Sequence, residues 1–202
     1  MTINTKTLAA IDIGTNAIRL FISNVEEYPT ETLFKKIAFL RVPIRLGEDV
    51  FTTGEIGQQK RKRLCETMQG FSYIMSAFNV ESYKAYATCA MREARNGKSV
   101  AEQIQKECDL NIEIISGTKE AETIFAGGMN EVVDDDKTYL YVDVGGGSTE
   151  VIVYSKSVKV EACSFPLGTV RMLNDAVDKE EMKHFKKWLK NITEKYTPDA
   201  II

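Results

Sequence analysis

Tyr139-Leu-Tyr-Val-Asp-Val-Gly-Gly-Gly-Ser-Thr-Glu-Val-Ile-Val153 gives the first firm reading of this chain. Tyr139 to Val142 is an apolar run that reads as a buried strand, and the β-branched Val151 to Val153 reads as its partner. Between them lie Asp143, three glycines and a Ser-Thr pair. Consecutive glycines let a backbone take φ > 0 and approach a ligand closely, and successive N–H groups in such a turn form a concave anion nest. Asp143 supplies a hard oxygen ligand at its mouth.

The pattern occurs a second time near the start. Leu8-Ala-Ala-Ile-Asp-Ile-Gly-Thr-Asn-Ala-Ile-Arg-Leu-Phe-Ile22 is again strand, Asp, a small polar turn and strand. Asp12 aligns with Asp143, Gly14 with Gly145 and Asn16 with Gly147. One supersecondary unit used twice predicts two related lobes, each offering a phosphate-binding turn to a shared cleft.

Between and after the hairpins the periodicity alternates. Thr32 to Val42 reads as a strand, with Arg41 and Arg45 either facing a ligand or serving as edge charges, and Leu46-Gly47 as a turn. Leu64, Met68, Phe71, Met75 and Phe78 recur at helical spacing, predicting an amphipathic helix over 55–78. The basic run Gln58 to Arg63 is its solvated face. A strand over 83–88, a short helix carrying Arg92 and Arg95, a helix over 98–109 and a strand over 112–115 follow. Arg92 comes just after a strand end, where open α/β sheets place ligands, and a guanidinium there can hold phosphate bidentately. Thr118 is positioned to cap the next helix, with Glu120 in its first turn. An acid there complements the positive helix end whether or not it is catalytic. Gly127-Gly128 weakens that helix, and Asp134 to Asp136 reads as a solvated linker. A strand over 158–165, a helix over 179–196 and a strand beginning at Pro198 complete the chain.

The bulk numbers restrict the function. The 202 residues are 44% hydrophobic and 27% charged, an ordinary globular composition. No run approaches the roughly 20 apolar residues of a membrane helix, and Met1 to Lys6 lacks a signal-peptide core. Four scattered cysteines without a CxxC pair, and a single histidine, disfavour zinc and predict a reduced, cytoplasmic setting. A net charge of −3 argues against a nucleic-acid polymer as partner. There is no G-x-x-x-x-G-K-S/T loop, no G-x-G-x-x-G opening a helix and no G-x-S-x-G elbow.

Taken together, Asp12-Ile-Gly-Thr-Asn16 and Asp143-Val-Gly-Gly-Gly-Ser-Thr-Glu150 resemble the two phosphate motifs of the superfamily that holds acetate kinase, sugar kinases, heat-shock chaperones and actin. Arg45-Leu-Gly-Glu48, Ala87-Thr-Cys-Ala-Met-Arg-Glu-Ala-Arg-Asn96, Ile114-Ile-Ser-Gly-Thr-Lys-Glu-Ala121 and Ser164-Phe-Pro-Leu-Gly168 narrow this. Within that superfamily, they resemble the exopolyphosphatase / guanosine pentaphosphate phosphohydrolase (Ppx/GppA) family over residues 8 to about 170, in the family's order. The resemblance implies an α/β, two-lobed actin-like (ribonuclease H-like) fold of mixed sheets flanked by helices. The expected N-terminal lobe is 1–125, and 126–202 an incomplete second lobe.

It further implies Mg²⁺-dependent hydrolysis of terminal phosphoanhydride bonds in polyphosphate or guanosine pentaphosphate. Glu120 matches the family's catalytic base, assisted by Asp143 and Arg92. Gly14, Thr15, Asn16, Gly145, Gly146, Gly147 and Ser148 would bind phosphate, and Asp12, Asp143 and Glu150 the metal. A homodimer is consistent with the relatives. Lys119, where relatives usually carry an acid, and Ala17, where many carry a hydroxyl, depart from the pattern. The alternatives are a kinase of the same superfamily and a non-catalytic sensor of guanosine polyphosphate or polyphosphate.

Overall fold

The computed structural model describes residues 4–126, 136–156 and 158–202. The glycine pair at 127–128 and most of the expected acidic linker (134–135) lie outside them. The described chain divides into two compact units, Met1–Ile114 and Ile115–Ile202.

In the first unit β1 (Asn4–Ile13), β2 (Ile18–Glu27) and β3 (Thr32–Val42) form an antiparallel meander. Then come α1 (Leu46–Thr53), α2 (Gln58–Ala77), β4 (Ser82–Ala87), α3 (Cys89–Glu93), α4 (Gly97–Cys108) and β5 (Glu113–Ile114). The sheet order is β3-β2-β1-β4-β5, with β1/β4 and β4/β5 parallel. Strand alternation decides its two faces. Ile11, Ile13, Ile18, Leu20 and Ile22 turn inward onto Leu64, Met68 and Phe71 of α2 and Val100 and Ile104 of α4. Each such side chain contributes about 1.5–3 kcal/mol by burial. On the opposite face Arg19 and Arg41 are exposed, and Asp12 and Phe21 partly so.

The second unit opens with α5 (Gly117–Ala126) and continues through β6 (Thr138–Val144), β7 (Thr149–Ser155), β8 (Val158–Phe165), α6 (Thr169–Leu173), α7 (Lys179–Tyr196) and β9 (Ala200–Ile201). Its sheet order is β8-β7-β6-β9, antiparallel except for β6/β9. Both faces of β7 are covered, so Thr149 to Tyr154 is buried without alternation. On one face Ala121 of α5 packs with Tyr139, Ile152 and Tyr154. On the other, Phe165 meets the rings of Phe185 and Trp188 from α7 edge-on.

Three expectations change. The contact division falls between Ile114 and Ile115, not at 125/126, because α5 packs on β7 and β8. Glu120 therefore belongs to the second unit. Leu46-Gly47 is not a turn but the buried start of α1, a helix the period reading did not contain. Thr118 is exposed and does not cap α5. Ser116 Oγ accepts from Lys119 N at 3.2 Å, and Glu120 N donates to the Ser116 carbonyl at 2.9 Å.

Candidate active site

Both hairpins close in the same way. Gly14 N donates to the Ala17 carbonyl at 3.1 Å, and Gly145 N to the Ser148 carbonyl at 2.9 Å. Each turn is then anchored through its oxygens by the start of a helix. In the first unit Arg45 N donates to the Asn16 carbonyl and Gly47 N to the Thr15 carbonyl. In the second, Thr169 N donates to the Gly145 carbonyl, and Val170 N and Arg171 N to that of Gly146. Arg171 Nε adds a bond to the Gly147 carbonyl at 2.9 Å. With their carbonyls committed, the turns have their amide side to offer a phosphate.

The expected reason for the glycines needs correction. Among the described residues Gly54 is the glycine with positive φ, so Gly14 and Gly145 serve close approach rather than left-handed backbone. A Cβ at Gly145 would sit 3.1 Å from the Ser148 carbonyl oxygen, and one at Gly14 3.0 Å from that of Ala17. A stricter case at this turn lies outside the triple. A Cβ on Gly168 would fall 2.4 Å from the Gly146 backbone.

The acids of the second unit share one sheet face. Asp143 and Glu150 are direct cross-strand partners, and Glu150 is 2% exposed. Ser164, opposite Glu150 on β8, donates its hydroxyl to Glu150 Oε1 at 2.8 Å. The start of α5 rests on the same serine, since a Cβ on Gly117 would lie 2.7 Å from Ser164 Oγ. Half-buried Glu120 sits one turn further along. Tyr141 lies two residues before Asp143 on that face. Its hydroxyl pKa is raised first by burial and then by the negative charges of Asp143 and Glu150. Thr149, also buried, donates to the Leu167 carbonyl and ties this turn to the loop before α6.

The first unit places Asp12 at the end of β1 and joins that end to β4, where Thr88 N donates to the Ile13 carbonyl. Arg92 follows on α3, its amide bonded to the Thr88 carbonyl. Arg95 instead donates to the Thr53 carbonyl at 2.8 Å, a structural bond. The Asp12 carboxylate is ion-paired to Arg19, its cross-strand partner. Thus Asp12, Gly14–Asn16 and Arg92 fall in one unit, and Glu120, Asp143, Gly145–Ser148 and Glu150 in the other.

No group of three His, Cys, Asp or Glu side chains among the described residues is arranged to hold a metal. The opposed Asp143 and Glu150 still fit Mg²⁺, which usually takes one or two carboxylates alongside substrate oxygens and water. The residues that sequence reasoning left without a role are Arg19, Ser164 and Arg171. Arg19 could have been found from its spacing, since it follows Asp12 by the same interval that separates Glu150 from Asp143.

Comparison with known proteins places this geometry. The chain is 32% identical over 168 residues to a bifunctional 3-dehydroquinate synthase/phosphatase of Fusobacterium nucleatum, covering 81% of this chain and 25% of the relative. It is 28% identical over 170 residues to exopolyphosphatase 2 of Mycobacterium tuberculosis, covering 82% and 53%. The chain thus spans from a quarter to about half the length of these curated relatives. The crystal structure of an exopolyphosphatase from Cytophaga hutchinsonii superposes with a TM-score of 0.84 at 25% identity, over 97% of this chain and 65% of that one. The Aquifex aeolicus Ppx/GppA structure gives 0.73 at 25%, over 95% and 63%. The expected actin-like α/β fold is therefore the observed one. The model of the Ppx/GppA phosphatase family matches residues 21–201, and with the duplicated turns and the ordered motifs it shows that this chain belongs to that family.

Proposed function

We propose that the protein hydrolyses terminal phosphoanhydride bonds of inorganic polyphosphate, and that the same step on guanosine pentaphosphate removes its outermost 5′ phosphate. The observation that carries this reading is the acidic pair Asp143–Glu150 beside the Gly145–Ser148 turn, with the first turn of α5 resting on their neighbour Ser164. The amides of Gly146–Ser148 and of Thr15–Asn16 bind phosphoryl oxygens, those of Gly145 and Gly14 being used to close their own turns. Asp143 and Glu150 would hold Mg²⁺, which supplies neutralisation of the phosphoryl charge when bound. Asp12, committed to Arg19, supports its turn instead. Arg92 steadies the terminal oxygens. Glu120 takes a proton from water as its oxygen attacks the terminal phosphorus. The bridging P–O bond breaks, its electrons leave with the shortened chain, and orthophosphate is released. Cys65, Cys89, Cys108 and Cys163 are thiols rather than disulfides, which supports a reducing, cytoplasmic setting for this chemistry. Among the described residues no helix is long and apolar enough to cross a membrane.

The test is phosphate release from tripolyphosphate, long-chain polyphosphate and guanosine pentaphosphate, with and without Mg²⁺, by wild type and Glu120→Gln. The expected result is Mg²⁺-dependent release that falls by roughly 10²–10⁴ in the variant, the usual contribution of general-base catalysis. Binding without release in wild type would instead support the sensor reading. That second reading is motivated by Lys119, exposed beside Glu120 where relatives usually carry an acid.

A further inference from the structure

Among the described residues three registered strand pairs join two charged side chains: Asp12–Arg19 is complementary, and the other two are exceptions to complementarity. Asp143 faces Glu150 in the second unit, and Arg19 faces Arg41 in the first. Like charges directly opposite each other destabilise a sheet. Both exceptions lie next to the duplicated turns: Asp143–Glu150 is one register position from the close of its hairpin, and Arg19 is one from the Ile13–Ile18 pair that closes the other. A bound cation relieves the acidic pair. The basic pair calls for an anion.

We infer that Arg19 and Arg41 form a second anion subsite, which takes the continuation of a linear polyphosphate chain whose phosphates engage the Gly14–Asn16 turn. This rests on the proposed function and extends it from the hydrolysed end to the polymer. Both arginines are exposed on the outer face of the first sheet, in a row that continues through Asp12 on β1, Tyr86 on β4 and Glu113 on β5. Asp12 neutralises part of the charge through its pair with Arg19 and orients that guanidinium. Arg41, at the strand edge beyond it, leaves the row cationic on the β3 side. Strands about 4.8 Å apart put Arg41 roughly 10 Å from β1. That reach matches several linked phosphates rather than one orthophosphate. Two guanidinium forks meet successive phosphoryl oxygens bidentately. Lys35, on the same edge strand, is ion-paired to Glu26. Arg41 faces another arginine.

The test is direct binding of orthophosphate, tripolyphosphate and long-chain polyphosphate to wild type, Arg41→Gln and Arg41→Lys over a range of salt concentrations, with thermal melting of each. Wild type should prefer the longer chains. Arg41→Gln should lose about fivefold or more in long-chain affinity and about one unit of slope in log affinity against log salt, while orthophosphate binding stays unchanged. Arg41→Lys should recover part of the loss. The unliganded Arg41→Gln protein should melt no lower than wild type, because a repulsion has been removed. Equal long-chain affinity in Arg41→Gln and wild type, or no chain-length preference in wild type, overturns the subsite while leaving hydrolysis intact. If wild type binds no polyphosphate of any length, the proposed function falls with it.

Discussion

The hairpin β1–β2 and the hairpin β6–β7 are two uses of one design, and they differ where it matters. Both carry an aspartate one residue before the end of their first strand, close the turn through the same amide-to-carbonyl bond and hand their turn carbonyls to the helix after the third strand. At the position opposite the aspartate, one carries Arg19 and the other Glu150. A single cross-strand choice thus makes one aspartate a salt-bridge partner and leaves the other beside a second acid. The lesson is that a duplicated backbone fixes where a ligand sits, while one opposed side chain fixes the sign of charge that it can accept.

The helix that anchors each turn extends the comparison. Gly168 lies against Gly146 with no room for a Cβ, whereas its counterpart Arg45 stands clear with a left-handed φ of 58°. Gly168→Ala should therefore destabilise the protein by about 3 kcal/mol, the upper range for overpacking. Arg45→Gly should stabilise it by roughly 0.5–1 kcal/mol through relief of the left-handed strain. Denaturant midpoints with unchanged slopes would show both. Equal and small effects at the two positions would break the comparison.

A smaller difference appears at high pH. Burial, and then Glu107, push the Cys65 thiol of the first unit up to about 11 from 9.0. Burial, and then Tyr141, push the Tyr154 hydroxyl of the second unit up to about 12 from 10.0. Both folded values exceed the unfolded ones, so stability is intact below the unfolded pKa and is lost as pH rises through the folded one. The first loss falls between pH 9 and 11, the second between pH 10 and 12. Urea midpoints across this range should decline, and Cys65→Ala should flatten the earlier part only.

Much of this was legible in the chain. The two hairpins, β8 and α7 follow from alternation and helical period, and their bounds are those expected to within a few residues. What was not legible depended on contacts far apart in sequence. Leu46-Gly47 reads as a turn because glycine is a poor helix former, yet Gly47 N bonds the Thr15 carbonyl and Leu46 is fully buried. Helix α5 looks continuous with the first unit until Ala121 is seen packing between Tyr139 and Ile152. Glu120 and Glu150 were each visible as acids, and Ser164 stood in a quoted motif, but its bond to Glu150 and its place against the start of α5 depend on strand register.

The division of labour between the hairpins is tested most directly by phosphate release from polyphosphates of increasing length across a Mg²⁺ titration, in Glu150→Gln and Arg41→Gln. The glutamine retains an acceptor for the Ser164 hydroxyl, so the strand pairing survives. Glu150→Gln should raise the Mg²⁺ concentration for half-maximal release by roughly tenfold, the scale of one lost charged ligand contact, without altering the chain-length preference. Arg41→Gln should flatten the chain-length preference and leave the Mg²⁺ midpoint in place. If both variants shift the same parameter, the two hairpins do not divide cation and anion between them, and the account is wrong.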